Sequence, residues 1–396
     1  MKVCLIGNMN NNFFSLVRYL RDCNLDAELL LFKNEMPHFL PEADSFDRSF
    51  EKYVKKTNWS YNLSDVYFTP RREIIKTIQR YDYFIVCGTA PAYLAKVRVD
   101  PDLFIPFGSD IHKVAHYRHL FSAPFRKWHR FFYAIRMQRR GISKSRFVSL
   151  EKLNKKFENK FVRPLNIEDQ RIFATCPFLY LPQYENGQMD SYLEKSTIYH
   201  RFLEIRKKFE TVIIQHARQE WNERGERVVH PNVWSKGNDR FIRQFAKYVT
   251  DNSDRKICLI LFEYGTSVHK SKNLIAQLSI QDRVFWMPKS FRRDIMGCLR
   301  GSDLVVGELF DSYLTYGSII EGMAVGTPVL HKRIDALYTG EGLYPMLYGN
   351  TDEQIYHSIQ IADRQKNVLG NIGLKSKAWV KEKFTEALGE YLSCLQ

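Results

Sequence analysis

GELFDSYLTYGSIIEGMAVGTPVL (Gly307 to Leu330) reads as the exit of one strand, a polar loop, a short helix, a glycine turn and the entry of a second strand. Ser302-Asp303-Leu304-Val305-Val306, just before it, ends a short apolar run of the kind that forms a buried parallel strand. The helix is expected to open near Gly317-Ser318, with Glu321 in its first turn. Ala324-Val325-Gly326 closes it, and Thr327-Pro328-Val329-Leu330 starts the next strand. A helix N-terminus facing a loop at the carboxyl end of a strand is a ready anion site. A carboxylate at Glu321 can accept hydrogen bonds from sugar hydroxyls. Ser318-x-x-Glu321 also spells a capping box, in which Glu321 only satisfies the Ser318 backbone N–H.

A chain of 396 residues exceeds one hydrophobic core and predicts two domains. Its longest apolar runs, such as Ile257 to Phe262, fall far short of the ~20 residues needed to span a bilayer. Met1 to Gly7 runs straight into a polar loop, which is not the pattern of a signal peptide. The seven cysteines are scattered without a C-x-x-C pair, which fits a reducing cytosol better than a disulfide framework.

The balance of 59 Lys and Arg against 44 Asp and Glu gives a net charge of +15 and favours anionic partners. Its densest local expression is Tyr117 to Arg146. There Arg126, Lys127, Arg130, Arg136, Arg139 and Arg140 interleave with Phe121, Phe125, Trp128, Phe131, Phe132 and Tyr133. Apolar residues at 121, 125, 128, 132 and 135 follow helical spacing, so one face would be apolar and the other cationic. That pattern suits a helix lying on an anionic membrane surface, and equally an amphipathic helix packed on the core with a solvated basic face. No nucleic-acid-binding motif accompanies it, and no nucleic-acid partner is expected.

The chain opens as β-α-β: a strand at Val3 to Ile6, a loop from Gly7 to Asn12, a helix face at Phe13, Phe14, Leu16, Val17 and Leu20, then a strand from Ala27 to Phe32. This is how a Rossmann-like domain approaches phosphate, although the loop lacks G-x-G-x-x-G. Its asparagines, Asn8 among them, either donate to a diphosphate or acceptor or simply form the turn. Tyr83 to Cys87 and Leu103 to Pro106 are further strands, each followed by a glycine loop. In the second, Phe107-Gly108-Ser109-Asp110, the aspartate either faces a binding cleft or caps the next helix.

The expected organisation is a first domain over 1–182, a linker over 183–205, a second domain over 206–375 and a terminal helix over 376–396. Thr211 to Ile214 opens the second β-α-β series. Gln215-His216-Ala217-Arg218 follows that strand, and Lys236-Gly237-Asn238-Asp239 follows a long loop, Gln219 to Ser235. Taken singly, Arg218 and Lys236 are two surface cations among 59. Lys236 nevertheless sits just before a helix, where the dipole adds to its charge. The long loop, with Trp221, Arg224, Arg227, His230 and Trp234, is a candidate lid. Val284 to Met287 is a strand ending in a turn at Pro288.

Together these motifs resemble the retaining GT-B glycosyltransferases of the family four type, whose donor motif reads roughly E-x7-E-A-M-A-x-G-x-P-V. Met323-Ala324-Val325-Gly326-Thr327-Pro328 continues that pattern without a gap, which favours the ligand-binding reading of Glu321. The resemblance implies an α/β fold of two Rossmann-like domains facing a central cleft, with the C-terminal helix crossing back to the first. It implies Arg218 and Lys236 on the donor diphosphate, and Glu321, Gly317 and Ser318 about the ribose and phosphate. Met287 and Pro288 would hold the base, Asn8 the diphosphate or acceptor, and Asp110 the region of the transferred sugar. Fixed cations stabilise a leaving nucleoside diphosphate without a metal, so neither metal nor other cofactor is expected. The implied partners are a nucleotide-sugar donor and a glycan or lipid-linked acceptor. The implied setting is bacterial polysaccharide, lipopolysaccharide or glycolipid synthesis, in the cytoplasm or at the inner face of its membrane. One departure stands out: eight positions before Glu321 lies Tyr313, where the family carries its first glutamate. Two rivals stay open: a same-fold nucleotide-sugar epimerase or phosphorolytic enzyme, and a non-catalytic GT-B-like binding or scaffold protein, for which that departure is the best argument.

Overall fold

The computed structural model describes residues 1–122, 124–150, 158–174, 176–222, 235–338, 340 and 342–395. The chain divides into two compact units, Met1–Tyr180 with Lys383–Gln396, and Leu181–Glu382.

The first unit is built on seven parallel strands. They are β1 (Lys2–Ile6), β2 (Asp26–Leu31), β3 (Val54–Lys56), β4 (Tyr83–Val86), β5 (Leu103–Phe104), β6 (Phe147–Ser149) and β7 (Arg171–Ile172), in the order β3-β2-β1-β4-β5-β6-β7. Ile6 is in register with Leu30 on one side and Val86 on the other. Alternate residues of β1 serve opposite faces, as the strand period of two demands. Val3 and Leu5 pack with Phe13, Leu16 and Leu20, while Cys4 and Ile6 pack with Tyr93 and Ile135 on the other side. Both faces are therefore covered, which is why the strand is continuously apolar rather than alternating. The C-terminal segment completes one face. Ala387 and Tyr391 join that core, and the Tyr391 hydroxyl lies 3.1 Å from Ser149 Oγ and 3.2 Å from the Ala174 carbonyl.

The second unit repeats the scheme with six parallel strands: β8 (Thr211–Gln215), β9 (Ile257–Phe262), β10 (Val284–Met287), β11 (Leu304–Val306), β12 (Val329–His331) and β13 (Leu347–Tyr348). Their order is β10-β9-β8-β11-β12-β13. Strand β9, Ile-Cys-Leu-Ile-Leu-Phe, is buried at every position. The helix Asn238–Asp251 buries Phe241, Ile242, Phe245, Ala246, Tyr248 and Val249, the stripe that i, i+3 and i+4 spacing produces. In each unit the order reverses beside the first strand, at β1/β4 and at β8/β11. Loops leaving the carboxyl ends of strands at such a switch point form a crevice.

The stretch 183–205 carries the helices Gln188–Leu193 and Thr197–Arg206. Both pack within the second unit. Tyr192 and Ser196 hydrogen-bond Asp294 at 2.8 and 2.9 Å, and Arg206 pairs with Asp303 at 2.5 Å. The terminal helix starts earlier than the spacing suggested and spans Lys366–Ser393. The segment Tyr117 to Arg146 is not one continuous helix. Two 3-10 turns, Tyr117–Ser122 and Phe125–Lys127, precede a helix from Trp128 to Ser143. Pro124 separates them, because its ring and missing N–H stop any helix passing through. The buried face of that helix is Ala134, Ile135, Gln138, Gly141 and Ile142, while Phe121, Phe125 and Phe132 are exposed.

Candidate functional site

The switch point of the second unit gathers most of the residues that the motifs singled out. His216 follows β8 directly, Glu308 follows β11, and between Glu308 and the helix Gly317–Ala324 runs the loop that opened the sequence reading. That helix forms where its glycines allow. A Cβ at Gly322 would stand only 3.0 Å from Val329 and 3.1 Å from Val305, so the helix lies close on β11 and β12. Gly326, at φ +81°, then turns the chain into β12.

Glu321 is the fifth residue of the helix, one turn further in than the sequence reading placed it. The residue preceding the helix is Tyr316, in extended conformation and without a side-chain cap. A capping box needs its Glu at the third helical position, so that pairing is not made. Instead Glu321 Oε2 lies 2.8 Å from His216 Nε2, and Oε1 accepts a hydrogen bond from Arg292 Nε at 2.8 Å. Burial pushes the Glu321 carboxyl up, but the bond to His216 and the Arg292 charge outweigh it and hold the group below its ordinary range. The Pro288 turn delivers Arg292. Met287 ends β10 fully buried, the Pro288 carbonyl accepts from Ser290 at 2.8 Å, and the helix Arg292–Arg300 then begins.

Beside this triad, Lys236 is fixed by its own backbone. Its N–H donates to the Glu220 carbonyl at 2.6 Å, and its carbonyl accepts from the Leu309 N–H at 2.9 Å. Gly237 permits that clamp: it has φ +67°, and a Cβ there would approach Leu309 to 3.1 Å. The Lys236 ammonium pairs with the Glu308 carboxylate. Burial raises the Glu308 carboxyl above its usual range, against the lowering influence of Lys236 and Arg218. Arg218 is exposed and makes no hydrogen bond or ion pair among the described residues.

The loop between Glu308 and Gly317 is tied down through its carbonyls. Arg240 Nη1 donates to Leu309 O at 2.5 Å, Lys332 Nζ to Phe310 O at 2.8 Å and the Tyr344 hydroxyl to Leu314 O at 2.5 Å. The Tyr316 hydroxyl takes the Glu308 N–H. Tyr313 is half-buried, with its ring edge-on to Tyr316 at 5.7 Å between centroids.

The structure thus brings Arg218, Lys236, Gly317, Ser318 and Glu321 onto neighbouring loops and a helix end of one unit, with Met287 and Pro288 leading into Arg292. Asp110 and Asn8 belong to the first unit. Asn8 is buried and its side chain is spent internally: Nδ2 donates to Asn11 Oδ1 at 2.9 Å and to Phe39 O at 2.5 Å, and Oδ1 accepts from Phe14 N at 2.9 Å. Asp110 binds the two glycine loops together, accepting from Phe107 N at 3.0 Å, Gly88 N at 3.1 Å and Ile111 N at 3.1 Å. Burial pushes its carboxyl up to about 6 against those donors. It stands on the wall of a cavity of about 330 Å³, with Tyr61, Thr89, Ser109, Lys113 and Phe131. Trp221 is no part of a lid: it is buried, with its indole N–H on Ser271 Oγ at 2.8 Å. Arg224, Arg227, His230 and Trp234 lie outside the described residues.

His216 and Arg292 escaped the sequence reading as partners of Glu321. The usable signal was position: His216 directly follows β8, which flanks the switch point, and Arg292 opens the helix after the turn that leaves the edge strand β10.

No family model matches the chain, and no curated protein matches it in sequence. Solved structures do match it over its whole length. HepE from Anabaena, in complex with UDP and glucose, superposes with a TM-score of 0.59 at 14% identity, covering 100% of this chain and 99% of that one. Sucrose-phosphate synthase from Thermosynechococcus elongatus gives 0.59 at 12% identity, with 100% and 98% covered. UDP-GlcNAc 2-epimerase from Neisseria meningitidis, bound to UDP-GlcNAc, gives 0.57 at 11% identity, with 98% and 100% covered. With two parallel sheets of the same strand order, the chain has the GT-B fold.

Proposed function

We propose that this protein is a glycosyltransferase that moves a sugar from a nucleotide-sugar donor to a glycan or lipid-linked acceptor. The observation that carries the reading is the cluster at the β8/β11 switch point: Arg218, Lys236 and Arg292 with the carboxylates Glu308 and Glu321. A nucleoside diphosphate gains negative charge as it leaves, and preorganised cations favour that state most. Arg218 is solvent-facing and available to a phosphate, and Lys236 has only to exchange Glu308 for one. Glu321, kept ionised by His216 and Arg292, is suited to accept hydrogen bonds from ribose hydroxyls, with the Gly317–Ser318 backbone beside it. Met287 and Pro288 would border the base. The similarity to folds solved with UDP and with UDP-GlcNAc supports a uridine diphosphate sugar as donor.

On this reading the reaction proceeds with retention and without a metal, since the cations do the work a metal would do. It takes place in the cytoplasm. Asp110 and the first-unit cavity would belong to the acceptor side. The test is incubation with a panel of UDP-, GDP- and ADP-sugars, following both free nucleoside diphosphate and the sugar nucleotide itself. Release of diphosphate with transfer or hydrolysis is expected. Conversion of the sugar nucleotide to its epimer without release would replace the reading with an epimerase. Absence of both, with nucleotide still bound, would make the protein a binding module, the rival that Tyr313 favours.

A further inference from the structure

Between residues 111 and 150 the chain has ten Lys and Arg and not one Asp or Glu, so this tenth of the sequence carries two-thirds of the net charge of +15. Over the first turns of the helix Trp128–Ser143, and on the 3-10 turns before it, the same segment exposes several groups of rings. Phe121 and Phe125 are 76% and 80% exposed, and both lean on Trp128 at 5.5 and 5.0 Å between centroids. Phe132 stacks with Tyr117 at 5.3 Å. A separate segment extends the patch: Tyr67 meets His129 and Tyr133, each at 5.6 Å, and the Arg130 guanidinium lies 4.6 Å over the exposed Phe68 ring. Single exposed apolar side chains are ordinary, but clustered aromatic rings are not.

The cations around it are equally unspent. Arg126, Lys127, Arg136 and Arg140 are exposed and have no carboxylate partner among the described residues. The opposite face of the helix is already used, since Ala134, Ile135 and Ile142 lie in the unit's core and Gly141 sits against Pro91 with no room for a Cβ. The helix is thus anchored by one side and presents the other. Phenylalanine rings gain by leaving water, and unpaired Arg and Lys complement phosphate headgroups; the same rings can stack on unpaired bases, which the nucleic-acid arm of the test below reads.

We propose that this surface of the first unit docks on an anionic lipid membrane, with Phe121 and Phe125 entering the headgroup boundary and Arg126, Lys127, Arg136 and Arg140 meeting the headgroup phosphates. The inference goes beyond the transfer reaction and stands without it, because binding to lipid is read without donor or acceptor. The test is flotation of the full chain with vesicles of phosphatidylcholine alone, and of phosphatidylcholine with phosphatidylglycerol, at low and high salt. Each cation near such a surface is worth about fivefold in partitioning, so substituting all four by Gln should weaken binding roughly several hundred-fold. Phe121→Ser with Phe125→Ser, both at exposed positions, should weaken it by a similar order, and binding should fall as salt screens the attraction. Unchanged melting temperatures would show that the variants are folded. Failure of the wild-type chain to float with anionic vesicles at low salt overturns the proposal. So does binding that survives the four Gln substitutions, or binding to duplex or single-stranded nucleic acid in place of vesicles.

Discussion

Replacing Glu321 by Gln separates what this carboxylate does for the fold from what it does for a ligand. The carboxylate holds Arg292 and His216 at 2.8 Å each, and the Glu321 and Arg292 side chains are only 13% and 14% exposed. Breaking a fully buried pair from one side costs about 3–5 kcal/mol, and an exposed pair is worth about 0–1 kcal/mol. Gln keeps one acceptor for Arg292, which puts the loss between the two ranges, at about 2 kcal/mol. For a unit of this size that corresponds to a melting temperature lower by roughly 4–8 °C. The pH dependence has a definite sign. The folded-state carboxyl lies below its ordinary value, so its stabilisation is present above the unfolded value near 4.5 and is lost as pH falls through the depressed folded value. The gap between wild type and Glu321→Gln should therefore be steady from pH 5 to 8 and close in acid. If Glu321 also receives the ribose, calorimetric affinity for UDP falls further, by roughly ten- to a hundredfold, since a hydrogen bond to a charged group is worth about 1.5–3 kcal/mol. Melting within 1 °C of wild type across that pH range would refute the stability argument. Unchanged UDP affinity would return the residue to a purely structural role.

Arg218→Ala should leave melting within about 0.5 kcal/mol of wild type, since the side chain is exposed, yet lower donor turnover by about 2–4 kcal/mol of transition-state energy. Equal turnover would place the diphosphate elsewhere. Gly237→Ala forces a side chain into φ +67° against Leu309 and should cost about 1–3 kcal/mol in urea unfolding while displacing Lys236; an unchanged midpoint would contradict this. Burial raises the Glu35 carboxyl to about 7, and its Oε1 has no hydrogen-bond partner among the described residues. Ionising it on going from pH 5 to 8 should cost the first unit up to about 3 kcal/mol, a loss that Glu35→Gln should abolish, read by denaturant unfolding at the two pH values. Donor turnover should survive excess EDTA; loss on chelation and recovery with Mg²⁺ would reject the cation clamp.

The fold was legible because its signals are local. Continuous apolar runs such as Ile257 to Phe262 mark strands buried on both faces, and the glycines at 322 and 326 mark a helix pressed on a strand and then ended. The sequence reading also singled out Arg218 and Lys236, which lie beside a strand exit and a helix start, and Glu321, which lies one turn inside its helix. It missed what Glu321 touches, because His216 and Arg292 lie 105 and 29 positions away and only the sheet order brings them in. It missed the Lys236–Glu308 pair for the same reason. The aromatic and basic periodicity of residues 121 to 135 implied one helix, because a hydrophobic period does not register that Pro124 divides it.

Tyr391 and Ala387 fill one face of the first unit's core, with Tyr391 against Ser149 and Ala174, and Tyr83 donating to the Cys394 carbonyl at 2.9 Å. On the ribosome these residues emerge only after the entire span Leu181–Glu382 has been made. At about 5–20 residues per second that is a wait of roughly ten to forty seconds. During it the nascent first unit holds seven strands but lacks their closing side chains, leaving Phe13, Leu16 and their neighbours partly uncovered. The half of the protein that is translated first is therefore finished last, and part of its core stays open to water until the final residues emerge.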